Sequence, residues 1–78
     1  MDDLALCKRI KITNAPRDHG EQGIREAFQA ETGKAVTCWV DDDTCYITFL
    51  RAADARKAVE TFDRGSLGGR TVGVALDP

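Results

Sequence analysis

Lys34-Ala35-Val36-Thr37-Cys38-Trp39-Val40, then Asp41-Asp42-Asp43, then Thr44-Cys45-Tyr46-Ile47-Thr48-Phe49-Leu50: this stretch decides the fold. Both flanking runs are rich in β-branched and aromatic residues, and their side chains alternate with the period of a half-buried strand. In the first run Val36, Cys38 and Val40 share one face, and Thr37 and Trp39 the other. In the second, Cys45, Ile47 and Phe49 face one way, and Thr44, Tyr46 and Thr48 the other. The aspartates between them are turn formers, so the stretch reads as a hairpin. With its turn at Asp41-Asp42, Val40 pairs with Asp43, Trp39 faces Thr44 and Cys38 faces Cys45. Trp39 and Tyr46 are then diagonal neighbours on one sheet face, within reach of each other.

The flanking sequence supplies the other layers. Ile10 and Ile12 alternate with Arg9, Lys11 and Thr13 in a strand over residues 8–14, which Asn14-Ala15-Pro16 ends. A helix over residues 22–32 follows a start at Asp18-His19-Gly20-Glu21, with Ile24, Ala27 and Phe28 on one stripe. Gly23 weakens it by about 1 kcal/mol against Ala, and Gly33 stops it. A second helix over residues 52–62 carries Ala55, Ala58, Val59 and Phe62 on its stripe. Asp63-Arg64-Gly65-Ser66 breaks it, with Gly65 placed to leave the helical conformation. A last strand over residues 71–76 points Val72, Val74 and Leu76 inward. The order is β-α-β-β-α-β, an α+β, ferredoxin-like sandwich: a four-stranded antiparallel sheet with both helices on one face. The other face is left to solvent or to a ligand.

A chain of 78 residues forms one domain. Its tight boundaries read as those of a domain cut from a longer protein. No apolar run approaches the ~20 residues of a membrane span, and Met1-Asp2-Asp3 starts no signal segment; the expected location is intracellular, nuclear or cytoplasmic. Cys7, Cys38 and Cys45 form no C-x-x-C pair, and the only histidine, His19, is distant from them in sequence. Reduced, mostly buried thiols are expected, with no zinc or other metal site, no cofactor and no bond between Cys38 and Cys45. His19 has no nucleophile or carboxylate placed to work with it, and no P-loop or dinucleotide glycine pattern occurs, so no enzyme is read here. The net charge of −2 argues against tight phosphate-led binding of long nucleic acid. It leaves room for a short single-stranded segment, or one nucleotide, held by stacking. Arg51, Arg56, Lys57, Arg64 and Arg70 are the densest basic set, and the plain reading of Arg56 and Lys57 is a solvated helix face.

Over nearly its whole length the chain resembles the RNA recognition motif, or RRM. Ile10-Lys11-Ile12-Thr13-Asn14-Ala15 looks like the RNP2 signature, and Asp42-Asp43-Thr44-Cys45-Tyr46-Ile47-Thr48-Phe49 like the later part of RNP1. Lys11 stands where RNP2 has an aromatic, and Asp42, Asp43 and Thr44 where RNP1 has a base, a glycine and an aromatic. Two of the usual stacking rings are thus absent. A narrower likeness runs through Trp39-Val40-Asp41-Asp42. It resembles the Trp-apolar-Asp-Asp motif of a degenerate RRM subgroup that includes the domain of poly(A)-specific ribonuclease and the third nuclear cap-binding subunit. That resemblance implies stacking of Trp39 on a 7-methylguanosine cap.

The expected site is the sheet face away from the helices. Trp39 and Tyr46 would stack on a base, and Lys11 would meet a phosphate or a base carbonyl. Asp41, Asp42 or Asp43 would accept the N–H donors of a guanine edge, with Thr44 and Thr48 on the same face. Each has a plainer role: Trp39 as an edge hydrophobe, Tyr46 as a sheet cap, the aspartates as a solvated turn, Lys11 as a solubilising charge. The expected partner is RNA, single-stranded or capped. The alternative is a protein-binding RRM without RNA affinity; no membrane partner is expected.

Overall fold

A computed structural model describes residues 6–78. Along the chain run β1 (Arg9–Thr13), a 3-10 turn (Arg17–His19), α1 (Gly20–Glu31), β2 (Ala35–Asp41), β3 (Thr44–Phe49), α2 (Ala52–Phe62), β4 (Ser66–Leu67), β5 (Arg70–Thr71) and β6 (Gly73–Leu76). The main sheet is antiparallel in the order β2-β3-β1-β6, and β4 and β5 make a small separate hairpin. Alternation drives the layering. Ile10 and Ile12 of β1 and Cys45, Ile47 and Phe49 of β3 are all buried, while their chain neighbours lie on the opposite face. Ile24 and Phe28 of α1 and Ala55 and Ala58 of α2 close over them in one core. Phe28 stacks on Phe62, ring centroids 4.0 Å apart, and so ties the helices together.

Four expectations shift in detail. The hairpin turn is Asp42-Asp43, one residue later than read, so Asp41 pairs with Thr44, Val40 with Cys45, Trp39 with Tyr46 and Cys38 with Ile47. Asp42 takes the left-handed φ of 61°, which hairpin turns need and aspartate tolerates. The Asp43 carbonyl accepts the Ala15 N–H at 2.7 Å, docking the turn on the loop after β1. Secondly, Ala35 pairs with Phe49 but Thr37 with Thr48, so Val36 is the extra residue of a β-bulge. Ala35 takes the core position, and Val36, expected inside, is 52% exposed.

After α2, Arg64 and not Gly65 adopts the left-handed conformation, at φ 63°. Gly65 serves a different need: its N–H meets the Phe62 carbonyl at 2.8 Å, and a Cβ there would crowd that oxygen at 3.0 Å. Likewise a Cβ on Gly33 would collide with the Asp54 carboxylate. Finally, the last strand is interrupted at Val72. Its N–H bonds to the Gly65 carbonyl and its C=O accepts the Arg64 N–H, both at 2.9 Å, so the loop after α2 takes the groups a ladder would use. Val72 is buried all the same.

Side chains cover both outer edges of the sheet. On β2, Glu21 accepts the Val40 N–H at 3.3 Å, Gln29 accepts the Ala35 N–H at 2.9 Å, and Arg25 donates to the Ala35 carbonyl at 2.8 Å. On β6, Asp63 accepts the Val74 N–H at 3.0 Å. Beneath the sheet, the Cys38 and Cys45 sulfurs lie 3.6 Å apart as diagonal neighbours, and both thiols are free. Burial pushes both thiols above the ordinary value of 9.0, Cys45 the further.

Two outcomes follow. In urea melts, Val36→Ala will change stability by under ~0.5 kcal/mol, whereas Ala35→Leu will overpack the core and cost ~1–3 kcal/mol; the reverse ranking would refute the bulge. The folded thiols hold their protons above the value at which unfolded thiols release them, so stability falls as pH rises beyond the ordinary thiol value. Cys45→Val will flatten that fall in urea midpoints taken between about pH 8 and 10.

Candidate nucleic-acid interface

The exposed sheet face inherits its residues from the same alternation. One row crosses all four strands: Trp39, Tyr46, Lys11 and Ala75 are successive register partners. Direct cross-strand partners stand about 4.5–5.5 Å apart at Cβ, so the two rings touch. Trp39 and Tyr46 meet edge to face, centroids 4.4 Å apart and planes at 86°. Trp39 is 50% exposed and lies in no core cluster. The pair forms a corner of two aromatic walls.

The next row is Arg9, Thr48 and Thr37. Together with the ring pair and Asp77 it lines an open cleft of about 370 Å³. Arg9 and Asp77 close one end. The Arg9 Nε lies 2.8 Å from the Asp77 carboxylate, in an ion pair whose side chains are 49% and 27% exposed. The Asp77 N–H donates to the Arg9 carbonyl at 2.9 Å, carrying the β1/β6 ladder one residue past Leu76.

Of the expected residues, the fold brings Trp39, Tyr46 and Thr48 together in this cleft. Lys11 is next to Tyr46 in the row but opens on a neighbouring depression beside Thr13, Arg64 and Gly73. Asp41 and Thr44 pair with each other at the turn end, on the opposite side of the ring row from Arg9 and Thr48. Asp42 forms an ion pair with Arg17, so its carboxylate is engaged within the chain. Among the described residues no group of three His, Cys, Asp or Glu side chains is arranged to hold a metal ion, and no helix is long and apolar enough to cross a membrane.

Arg9, Thr37 and Asp77 line the cleft without having been singled out from sequence. Arg9 and Thr37 were legible: each sits two residues from a chosen residue, Lys11 or Trp39, and so on the same face. Asp77 was not, because only the β1/β6 register carries it to Arg9.

Comparison with known proteins agrees with this architecture. The RNA recognition motif model matches residues 10–73. Ribonucleoprotein PTB-binding 2 of Mus musculus is 31% identical over 78 residues, and the match covers 97% of this chain but 11% of that protein. Among solved structures, yeast Prp24-RRM2 bound to a fragment of U6 RNA superposes with a TM-score of 0.76 at 21% identity, over 94% of this chain and 92% of that one. The SXL-lethal protein/RNA complex gives 0.83 at 14% identity, over 92% of this chain and 47% of that one. Identities that low speak for the fold alone. With the family model matching most of the chain, and with the strand order and one-sided helices just described, this chain belongs to the RNA recognition motif family, a family of RNA-binding modules.

Proposed function

We propose that this domain binds a short single-stranded RNA segment without catalysis, holding one base in the corner between Trp39 and Tyr46. The perpendicular contact of those rings, with the indole half exposed, carries the reading. A base laid flat on one ring meets the other at its edge, and such stacking contributes about 1–3 kcal/mol per base. Lys11, next in the row, supplies a charge for one flanking phosphate. Few phosphate contacts are expected from a chain of net charge −2.

The cap-binding form of this reading draws on the Trp39-Val40-Asp41-Asp42 motif and on the affinity of an indole face for a cationic methylated guanine. The geometry favours an ordinary base, because Asp42 is tied to Arg17 and Asp41 and Thr44 stand outside the cleft. A protein partner is the second reading. The mouse relative carries PTB binding in its name, and exposed Val36 and Leu50 sit at one end of the β2/β3 hairpin, where the Leu50 N–H meets the Lys34 carbonyl.

Trp39 is the sole tryptophan, so its emission reports the site directly. A short single-stranded RNA will quench it saturably, and Trp39→Ala will weaken binding of a labelled oligonucleotide about 5- to 150-fold by anisotropy. The slope of log K against log salt will be no steeper than about −1.5, as for two phosphate contacts on a single strand. Preference for a 7-methylguanosine nucleotide over GTP would put the cap form first; binding of no RNA probe would overturn the proposal and favour the protein partner.

A further inference from the structure

We propose that the cleft distinguishes guanine from the other bases, with Arg9 reading the base and Asp77 positioning Arg9. The inference rests on the stacking proposal above and names the base that the stack selects. The Arg9 guanidinium is held along one edge. Its Nε is 2.8 Å from the Asp77 carboxylate and 3.3 Å from the Asp77 carbonyl oxygen. Asp77 is itself fixed by its N–H bond to the Arg9 carbonyl. Both guanidinium contacts run through the Arg9 Nε and not through its Nη groups. Arg9 lies one row from Tyr46, and its side chain lines the cleft with both rings.

A planar fork with no acceptor suits one base edge above the others. Guanine places two acceptors, O6 and N7, side by side on its Hoogsteen edge, where an arginine reaches both. Adenine offers N7 beside an N–H donor, which meets the Arg9 fork donor to donor. Uracil has its two carbonyls separated by an N–H donor, and cytosine carries adjacent acceptors only on its Watson–Crick edge, at O2 and N3, not on the Hoogsteen edge read here. A base resting on the aromatic corner with that edge turned along the cleft meets the Nη groups with its O6 and N7. The assignment also predicts that a methyl group on N7 removes one acceptor and blocks the approach, so unmethylated guanine is the better ligand.

Anisotropy titrations with labelled five-nucleotide uridine oligomers test this, the central position being guanosine, inosine, 7-deazaguanosine or adenosine. Guanosine and inosine, which both keep O6 and N7, will bind about tenfold or more tighter than adenosine. 7-Deazaguanosine, lacking N7, will fall close to adenosine. Arg9→Lys keeps the charge and loses the fork, and will bring the guanosine-to-adenosine ratio near 1. Asp77→Asn will lower that ratio with the melting temperature little changed. Weaker binding of all oligomers by Arg9→Lys at an unaltered ratio would reduce Arg9 to a phosphate contact and sink the inference. So would equal wild-type affinity for all four oligomers, or 7-deazaguanosine binding like guanosine. In those cases stacking survives if Trp39→Ala still weakens binding by the factor given above, whereas failure of every oligomer to bind overturns both proposals.

Discussion

The two-residue turn at Asp42-Asp43 sets β2 against β3, and the side chains that those two strands present on the open face take their positions from that register. The period of a strand is two, so a slip of one residue would exchange the faces of β2 relative to its partner. Two contacts anchor the turn outside the hairpin: Arg17 holds the Asp42 carboxylate, and Ala15 donates to the Asp43 carbonyl. The acidic run is therefore a structural clamp between the hairpin and the loop after β1. It is what places the indole directly opposite the phenol instead of one step along the diagonal.

Much of the architecture was legible from residue pattern alone. The alternation of Ile10 with Ile12 and of Cys45, Ile47 and Phe49, together with the stripes Ile24-Phe28 and Ala55-Ala58, specifies strands, helices and the shared core face. The details that escaped share one physical cause. Each goes with a hydrogen bond made between different elements or loops of the fold, which the residue pattern within one element does not report. The bulge at Val36 accompanies capture of the Ala35 backbone groups by α1. The break at Val72 comes from the loop after α2. The turn shift comes with the Ala15 and Arg17 contacts. The site follows the same division: Trp39, Tyr46 and Lys11 lie on one face because alternation demands it, while the Arg9–Asp77 pair exists only because β1 and β6 are neighbours.

Charge around the ring row is arranged in opposed units. Arg9 pairs with Asp77 on one side of it, and Arg17 with Asp42 at the hairpin turn on the other. Lys11 stands in the ring row itself, with Tyr46 and Ala75 as its register partners. A surface built this way offers little long-range attraction to a polyanion and favours short-range recognition of shape, ring face and hydrogen-bond edge. That fits the acidic balance of the chain and the loss of the usual basic residue at Asp42.

The side chains that cap β2 and β6 have a further consequence. An uncovered sheet margin is a template on which another chain can extend the ladder, in specific complexes by β-augmentation and in misfolded ones by cross-β growth. Here Glu21, Gln29 and Arg25 occupy one margin and Asp63 the other. A protein recruiting this domain by backbone pairing would first have to displace those caps, so partners are steered toward the flat of the sheet. The same caps protect a small, marginally stable fold from self-association through its strands.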